Sequence, residues 1–332
     1  FFDFFKALEI KYGVEHWKKL DMNKTIQDLK GTDFARILGE TKPLSKECLS
    51  LIEQYNFKYR TLRGEERDEV LLRTLKEIDI ELLVSGPSRL PRWEHGWGEN
   101  HNEYVSSGHQ VEALIPGYYR RGQTIMQIEG EFILPEDPMF EYHSFEVFQA
   151  WLAETFIKPV DTVYEFGCGP AHNLMAFASI YPEKKYIGLD WAFPSQKIIA
   201  EIQKVKGFDI EGLRIDMFHP KTAPTVVPGS AVFTIGAMEQ LGNSYGNFVD
   251  YLMEQDVESY VHIEPIIELH PRNTLMGYLG AKYMEKRGYL NGYLDSLHAL
   301  EKEGKITISH CRPLMGSTHY SGWCLIAWKK TG

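Results

Sequence analysis

From Thr162 onward, short apolar runs alternate with longer amphipathic stretches. T-V-Y-E-F reads as a buried strand, followed by a Gly-rich turn and a helix through Ile180. K-Y-I-G-L-D is a second strand ending at Asp190, and residues 195–205 have helical spacing. E-G-L-R-I-D is a third strand ending at Asp216, S-A-V-F-T-I-G a fourth, and S-Y-V-H-I-E a fifth after a helix over 247–254. A long helical stretch covers 272–303, and K-I-T-I-S-H-C and W-C-L-I-A-W-K-K close the chain as two strands. Strands alternating with helices predict an α/β protein with a parallel, doubly wound sheet. The last two strands are joined by too few residues for a helical crossover, which predicts an antiparallel pair at the sheet edge.

The first part has a different texture. Residues 1–85 read as mostly helical: Leu44, Cys48, Leu51, Ile52 and Tyr55 share one spacing, and Val70, Leu71, Leu75, Ile78 and Leu82 another. The stretch from Pro91 to Tyr104, rich in Gly, His and aromatic residues, has no usable period and reads as an irregular loop. Residues 123–134 alternate around Gly130, as one or two strands do. Ser144 reads as the N-cap of a helix whose apolar face carries Val147, Phe148, Trp151, Leu152 and Phe156. The expected division is an auxiliary, acceptor-binding region over 1–142 and a nucleotide-binding domain over 143–332.

Composition narrows the class. With 43% apolar and 25% charged residues the chain is ordinary for a globular protein, which excludes a disordered one. No run approaches the ~18 apolar residues that span a bilayer, and no secretory signal pattern is present. The net charge of −10 argues against nucleic acid as a partner. No two cysteines form a C-x-x-C pair, so reduced thiols and a cytoplasmic setting are expected. A homo-oligomer is left open.

The densest chemistry lies in V-Y-E-F-G-C-G-P-A-H, from Val163 to His172. A glycine turn between strand and helix lets a ligand approach the backbone. His172 stands where a dinucleotide fingerprint has its third glycine, which disfavours a pyrophosphate. Glu165 precedes the turn, where a carboxylate suits a bound ligand carrying a cationic amino group, Asp190 ends the second strand, and Asp216 ends the third. A carboxylate at the end of the second strand is placed to take ribose hydroxyls. Together these residues resemble the class I S-adenosylmethionine-dependent methyltransferases over about 162–330. Their acidic-x-Gly-x-Gly-x-Gly motif is met by Glu165, Gly167 and Gly169, with Ala171 in the last place. The resemblance implies a Rossmann-like sheet of seven strands with the last antiparallel, and S-adenosyl-L-methionine as cofactor. It implies that Gly167, Cys168 and Gly169 line the methionine portion and that Asp190 holds the ribose. Trp191, Asp216 and Met217 would flank the adenine, with Gly236 beside the site.

An acceptor would lie beyond the carboxyl ends of the strands. Glu239, Glu264 and His270 gather at that rim and are candidate bases. Trp93, His95, Trp97, His101, Tyr104 and His143 are candidate acceptor contacts, suited to a sugar or flat ring with polar edges. Tyr118, Tyr119, Arg120 and Arg121 form a small basic-aromatic cluster. No metal-ligand spacing is present. The expectation is methylation of a small polar molecule, at oxygen, on a sugar or glycan precursor. An NAD(P)-dependent oxidoreductase and a non-catalytic cofactor-binding subunit are the alternatives.

Overall fold

The computed structural model describes residues 25–120, 122 and 124–331. Arg121, Gln123 and the helices expected before residue 25 lie outside the described residues. The described chain begins with β1 (Gln27–Asp28), α1 (Gly31–Leu38), α2 (Lys46–Gln54), β2 (Lys58–Thr61) and α3 (Gly64–Asp79). Helix α4 (Leu90–Ser106) and the hairpin β3 (Met126–Ile128) and β4 (Glu131–Pro135) lead to α5 (Phe140–Leu152). Next come β5 (Thr162–Phe166), α6 (His172–Ile180), β6 (Lys185–Asp190), α7 (Phe193–Lys206), β7 (Ile210–Arg214), β8 (Ser230–Ile235), α8 (Gly246–Glu254) and β9 (Val257–Glu264). Helices α9 (Leu275–Arg287) and α10 (Tyr293–Lys302) precede β10 (Ile306–Gly316) and β11 (Trp323–Lys330).

All strands join one sheet in the order β1-β2-β4-β3-β10-β11-β9-β8-β5-β6-β7. Its second half, from β9 to β7, is parallel, and β11 runs antiparallel to both β9 and β10. The sheet does not stop at seven strands. Met315 pairs with Ile128, so the β3–β4 hairpin continues it, and the short β2 and β1 follow. The first region is therefore not purely helical. Its strands are two to five residues long, too short for a period of two to declare itself.

Alternate residues of the parallel strands feed two cores. Val163, Tyr186, Phe233 and Val261 face one side, where α5 and α6 pack, and Tyr164, Ile187, Val232 and Tyr260 face the other. Phe34, Phe57 and Phe148 belong to the first core, so α1 and α5 share the apolar interior of the parallel half of the sheet. Leu62, Val70 and Phe132 build a smaller cluster against α9.

Three local expectations are corrected. The Pro91–Tyr104 stretch is helix α4, not a loop. Pro91 sits in its first turn, where a missing N–H is harmless, and its inward face is aromatic rather than aliphatic. Trp93 stacks on Trp97 at 5.3 Å, and Asn100 and Tyr104 are buried one and two turns further on. Asn100 donates to the carbonyls of Ala113 and Ile115, at 2.7 and 3.3 Å. Helix α5 starts at Phe140, so Ser144 is an interior helical residue and not a cap. The 272–303 stretch is broken into α9 and α10, because Gly288 and Gly292 adopt φ of +67° and +81°.

Candidate active site

The turn between β5 and α6 depends on left-handed backbone at Gly167, Gly169 and Ala171, with φ of +74°, +53° and +57°. Gly167 and Cys168 donate their N–H groups to the Leu189 carbonyl, at 2.6 and 3.2 Å, which ties the turn to the end of β6. A Cβ at Gly167 would stand 2.2 Å from that of Ala237, and one at Gly169 would stand 3.0 Å from the Trp97 ring. Ala171, the one departure from the glycine motif, keeps the glycine-like conformation at a cost of about 1–2 kcal/mol.

Asp190 braces this turn. Its Oδ2 accepts from the Gly169 N–H at 2.8 Å and its Oδ1 from the Ala192 N–H at 2.7 Å. Burial raises its pKa to about 6, against the pull of those hydrogen bonds. Beside it, Trp191 and Phe218 lie 5.9 Å apart, and Asp216 accepts from the Phe218 N–H at 2.9 Å. Asp190, Trp191, Asp216, Met217 and Phe218, with Gly167 and Gly236, line a slot of about 50 Å³. Trp93, Trp97, Gly167, Gly236 and Gln240 also line a second cavity, of about 1540 Å³. The narrow slot thus adjoins a wide chamber, with the Trp93–Trp97 stack and the glycine turn between them.

No protein-family model matches the sequence, and no curated protein does. Solved structures similar to this one include the N,N-8-amino-8-demethyl-D-riboflavin dimethyltransferase of Streptomyces davawensis, at 14% identity and a TM-score of 0.39. That match covers 58% of this chain and 57% of the other, so the chain spans little more than half of the riboflavin enzyme's length. The magnesium protoporphyrin IX methyltransferase of Synechocystis PCC 6803, solved with S-adenosylhomocysteine, is 14% identical with a TM-score of 0.41, over 57% of this chain and 84% of that one. An rRNA methylase from Escherichia coli is 11% identical with a TM-score of 0.40, over 80% and 92% of the two chains.

The structure separates the remaining candidates. Glu165 is fully buried and reaches neither cavity. Its Oε1 accepts from Asn173 at 2.6 Å, and burial pushes its pKa up to about 8. Asn173, which lines the chamber, stands between them. Glu264 is committed to backbone: Oε1 accepts from Ala237 and Met238, both at 3.0 Å, and Oε2 from Glu239 at 3.2 Å. It holds the loop after β8 rather than facing a ligand. His270 is locked as well, its Nδ1 donating to the Ile266 carbonyl at 2.9 Å and its Nε2 accepting from the Ser321 N–H at 3.1 Å. Of the three candidate bases, only Glu239 lines the chamber. It is half-buried, and desolvation together with Glu264 raises its pKa to about 8.

Among the candidate acceptor contacts, Trp93 and Trp97 line the chamber, but four others do not. His95 and His101 project from the solvent side of α4, His95 being paired with Glu99. Tyr104 is fully buried against His109. His143 stacks on Tyr55 at 3.8 Å and bonds Asp137 at 2.8 Å, on the core side of α5. A helix has one inward face, and reading the stretch as a loop hid which residues share it. Tyr118 and Tyr119 line the chamber, while Arg120 pairs with Glu103 at 2.6 Å.

Several residues of the chamber wall were not among the expected contacts, His172 first among them. His172, the first residue of α6, is buried, lines the chamber, and leaves both ring nitrogens without partners. Burial lowers its pKa to about 3, so the ring is neutral at physiological pH. Its place in the glycine motif was the only available signal.

These buried groups set a pH dependence. Glu165, Glu239 and Glu264 have folded pKa values raised to about 8, 8 and 7, so the folded state holds protons that the unfolded state releases. Their contribution to stability therefore falls as pH rises from about 4.5, where the unfolded carboxyls ionise, to about 8. His172 and His262, lowered to about 3, act in the opposite sense once pH drops below about 6.5, where the unfolded state gains protons. Of these groups only the acids still titrate above pH 6.5, so the melting temperature of the ligand-free protein is expected to fall between pH 6.5 and 8. A melting temperature that climbs steadily from pH 6.5 to 8 would contradict the buried acids.

Proposed function

We propose that the chain is an S-adenosylmethionine-dependent methyltransferase acting on a small polar acceptor. The supporting observation is the shared wall: a narrow slot, bounded by the glycine turn, Asp190 and the Trp191–Phe218 pair, adjoins a far larger chamber through Gly167 and Gly236. When bound, the cofactor supplies an electrophilic methyl group. Asp190, already positioned by two backbone N–H groups, uses its remaining lone pairs to hold ribose hydroxyls, and Trp191, Met217 and Phe218 flank the adenine. Gly167 packs closely on Ala237 and Gly169 on the Trp97 ring, and both glycines also line the chamber.

In the chamber, Glu239 takes the proton that an acceptor hydroxyl releases, since a carboxyl near pKa 8 is matched to work at neutral pH. His172, too weak a base at about pKa 3, orients the acceptor by accepting a hydrogen bond. Trp93, Trp97, Tyr119 and Trp323 offer flat apolar walls to a ring, a sugar ring included. The region before residue 143 supplies much of this wall through α3 and α4, which makes it the seat of acceptor specificity. The chain's net charge of −10 favours a small acceptor over a nucleic acid.

Titration of the full chain with S-adenosylhomocysteine and with NADH, followed by tryptophan fluorescence and calorimetry, tests the reading. S-adenosylhomocysteine is expected to bind and to perturb Trp97 and Trp191. Binding of NADH with none of the sulfur nucleoside would overturn it in favour of an oxidoreductase. Cofactor binding without transfer to any compound of a broad acceptor panel would favour a non-catalytic subunit.

A further inference from the structure

Two arginines in the chamber wall have no part in the transfer chemistry above. Arg89 closes the turn Pro87–Arg89 that leads into α4, and Arg287 is the last residue of α9. They are only 8% and 7% exposed. Nε and Nη1 of Arg89 and Nε of Arg287 are sealed from solvent without a hydrogen-bond partner. Arg287 Nη2 donates to the Tyr289 hydroxyl at 3.1 Å. The nearby ion pairs join Arg60 to Glu66 and His319 to Glu77, and among the described residues none involves Arg89 or Arg287.

The two guanidinium groups repel each other. Burial first, then the charges of Arg287 and Arg92, lowers the pKa of Arg89. Glu239 is the carboxyl that faces both, and a single carboxyl cannot balance two guanidinium charges. A buried charge without a partner is strongly unfavourable, so this arrangement makes physical sense when a ligand completes it. The donor fork of a guanidinium matches two oxygens of a carboxylate or phosphate. Arg89, Trp93 and Trp97 follow one another at a spacing of four residues and all line the chamber, so one helix face runs from the arginine to the glycine turn.

We propose that Arg89 and Arg287 form an anion subsite in the large chamber, which takes a carboxylate or phosphate group of the methyl acceptor. That the anion belongs to a methyl acceptor rests on the methyltransferase reading, whereas the anion subsite itself does not. Tyr289 and Tyr320, also in the wall, add hydroxyls beside it.

The test uses the full chain with three probes of one shape: 4-nitrobenzoate, 4-nitrophenyl phosphate and the neutral 4-nitrobenzamide. Binding is followed by calorimetry and by melting temperature, with S-adenosylhomocysteine titrated in parallel. At least one anion should bind and raise the melting temperature, and the amide should do neither. The tighter anion identifies the acceptor's group as carboxylate or phosphate. Arg89→Met should lose about tenfold or more in anion affinity, the scale of a charge-assisted hydrogen bond. It should keep wild-type affinity for S-adenosylhomocysteine, and its own ligand-free melting temperature should rise, because an uncompensated charge has gone. A merely structural arginine would lower it. Should Arg89→Met not fold, Arg89→Lys keeps the charge without the fork and should still weaken the anion. Equal binding of amide and anions, no anion binding, or unchanged anion affinity in Arg89→Met and Arg287→Met overturns the subsite. Wild-type protein that binds the anion but not S-adenosylhomocysteine overturns the methyltransferase reading and leaves the subsite standing.

Discussion

Gly167→Ala is expected to abolish S-adenosylhomocysteine binding and to destabilise the fold by about 2–5 kcal/mol. Two effects combine. At φ +74° an alanine is held in the left-handed region, which costs about 1–2 kcal/mol. Its Cβ would stand 2.2 Å from that of Ala237 and 3.5 Å from the Ala237 Cα, so the turn and the loop after β8 must part, an overpacking penalty of about 1–3 kcal/mol. That same loop is held by Glu264 through three N–H groups, so it has little freedom to yield. The double variant Gly167→Ala with Ala237→Gly removes the close contact but not the backbone strain. It should recover the overpacking share and no more, as read by denaturant unfolding. Wild-type nucleoside affinity in the single variant would show that the turn does not form the cofactor's bed.

Asp190→Ala should weaken S-adenosylhomocysteine by about ten- to hundredfold, from charge-assisted hydrogen bonds of about 1.5–3 kcal/mol. The loss is double in origin, because Asp190 braces the Gly169 and Ala192 N–H groups as well as facing the slot. With a pKa near 6 in the ligand-free protein, Asp190 becomes protonated as pH falls below 6, and a protonated carboxyl accepts less well. Affinity of the wild-type protein should therefore decline below pH 6, while that of Asp190→Asn, weaker throughout, should not change there. A pH-independent wild-type affinity from 5 to 8 would remove Asp190 from the ribose.

What could be read from the sequence differs between the two halves of the chain for a physical reason. The parallel strands are buried on both faces and separated by amphipathic helices, so β5 to β9 declare themselves as short apolar runs. The glycine turn was legible because close backbone packing excludes a Cβ, a constraint written directly as residue type at Gly167 and Gly169. Asp190 was legible because its place at the end of β6 follows from the strand itself. In the first region, β1 to β4 are short edge elements that gain stability only by joining the long sheet at β10. Their existence is a tertiary fact. Helix α4 was hidden because its inward face is aromatic and its middle carries the weak helix formers Gly96 and Gly98; a Cβ at Gly98 would stand 3.9 Å from Pro194 of α7.

The sequence by itself thus determined the alternating sheet, the glycine turn and the acid at the end of the second strand, all of them consequences of local pattern. Only the tertiary structure decided which polar groups face a ligand. Glu264 and His270 lie at the predicted rim, yet their hydrogen bonds go to the backbone of neighbouring segments. Glu239, His172, Arg89 and Arg287 converge on one chamber from four separate elements. No spacing along the chain encodes that convergence, because it depends on how helices α3, α4 and α9 close over the end of the sheet.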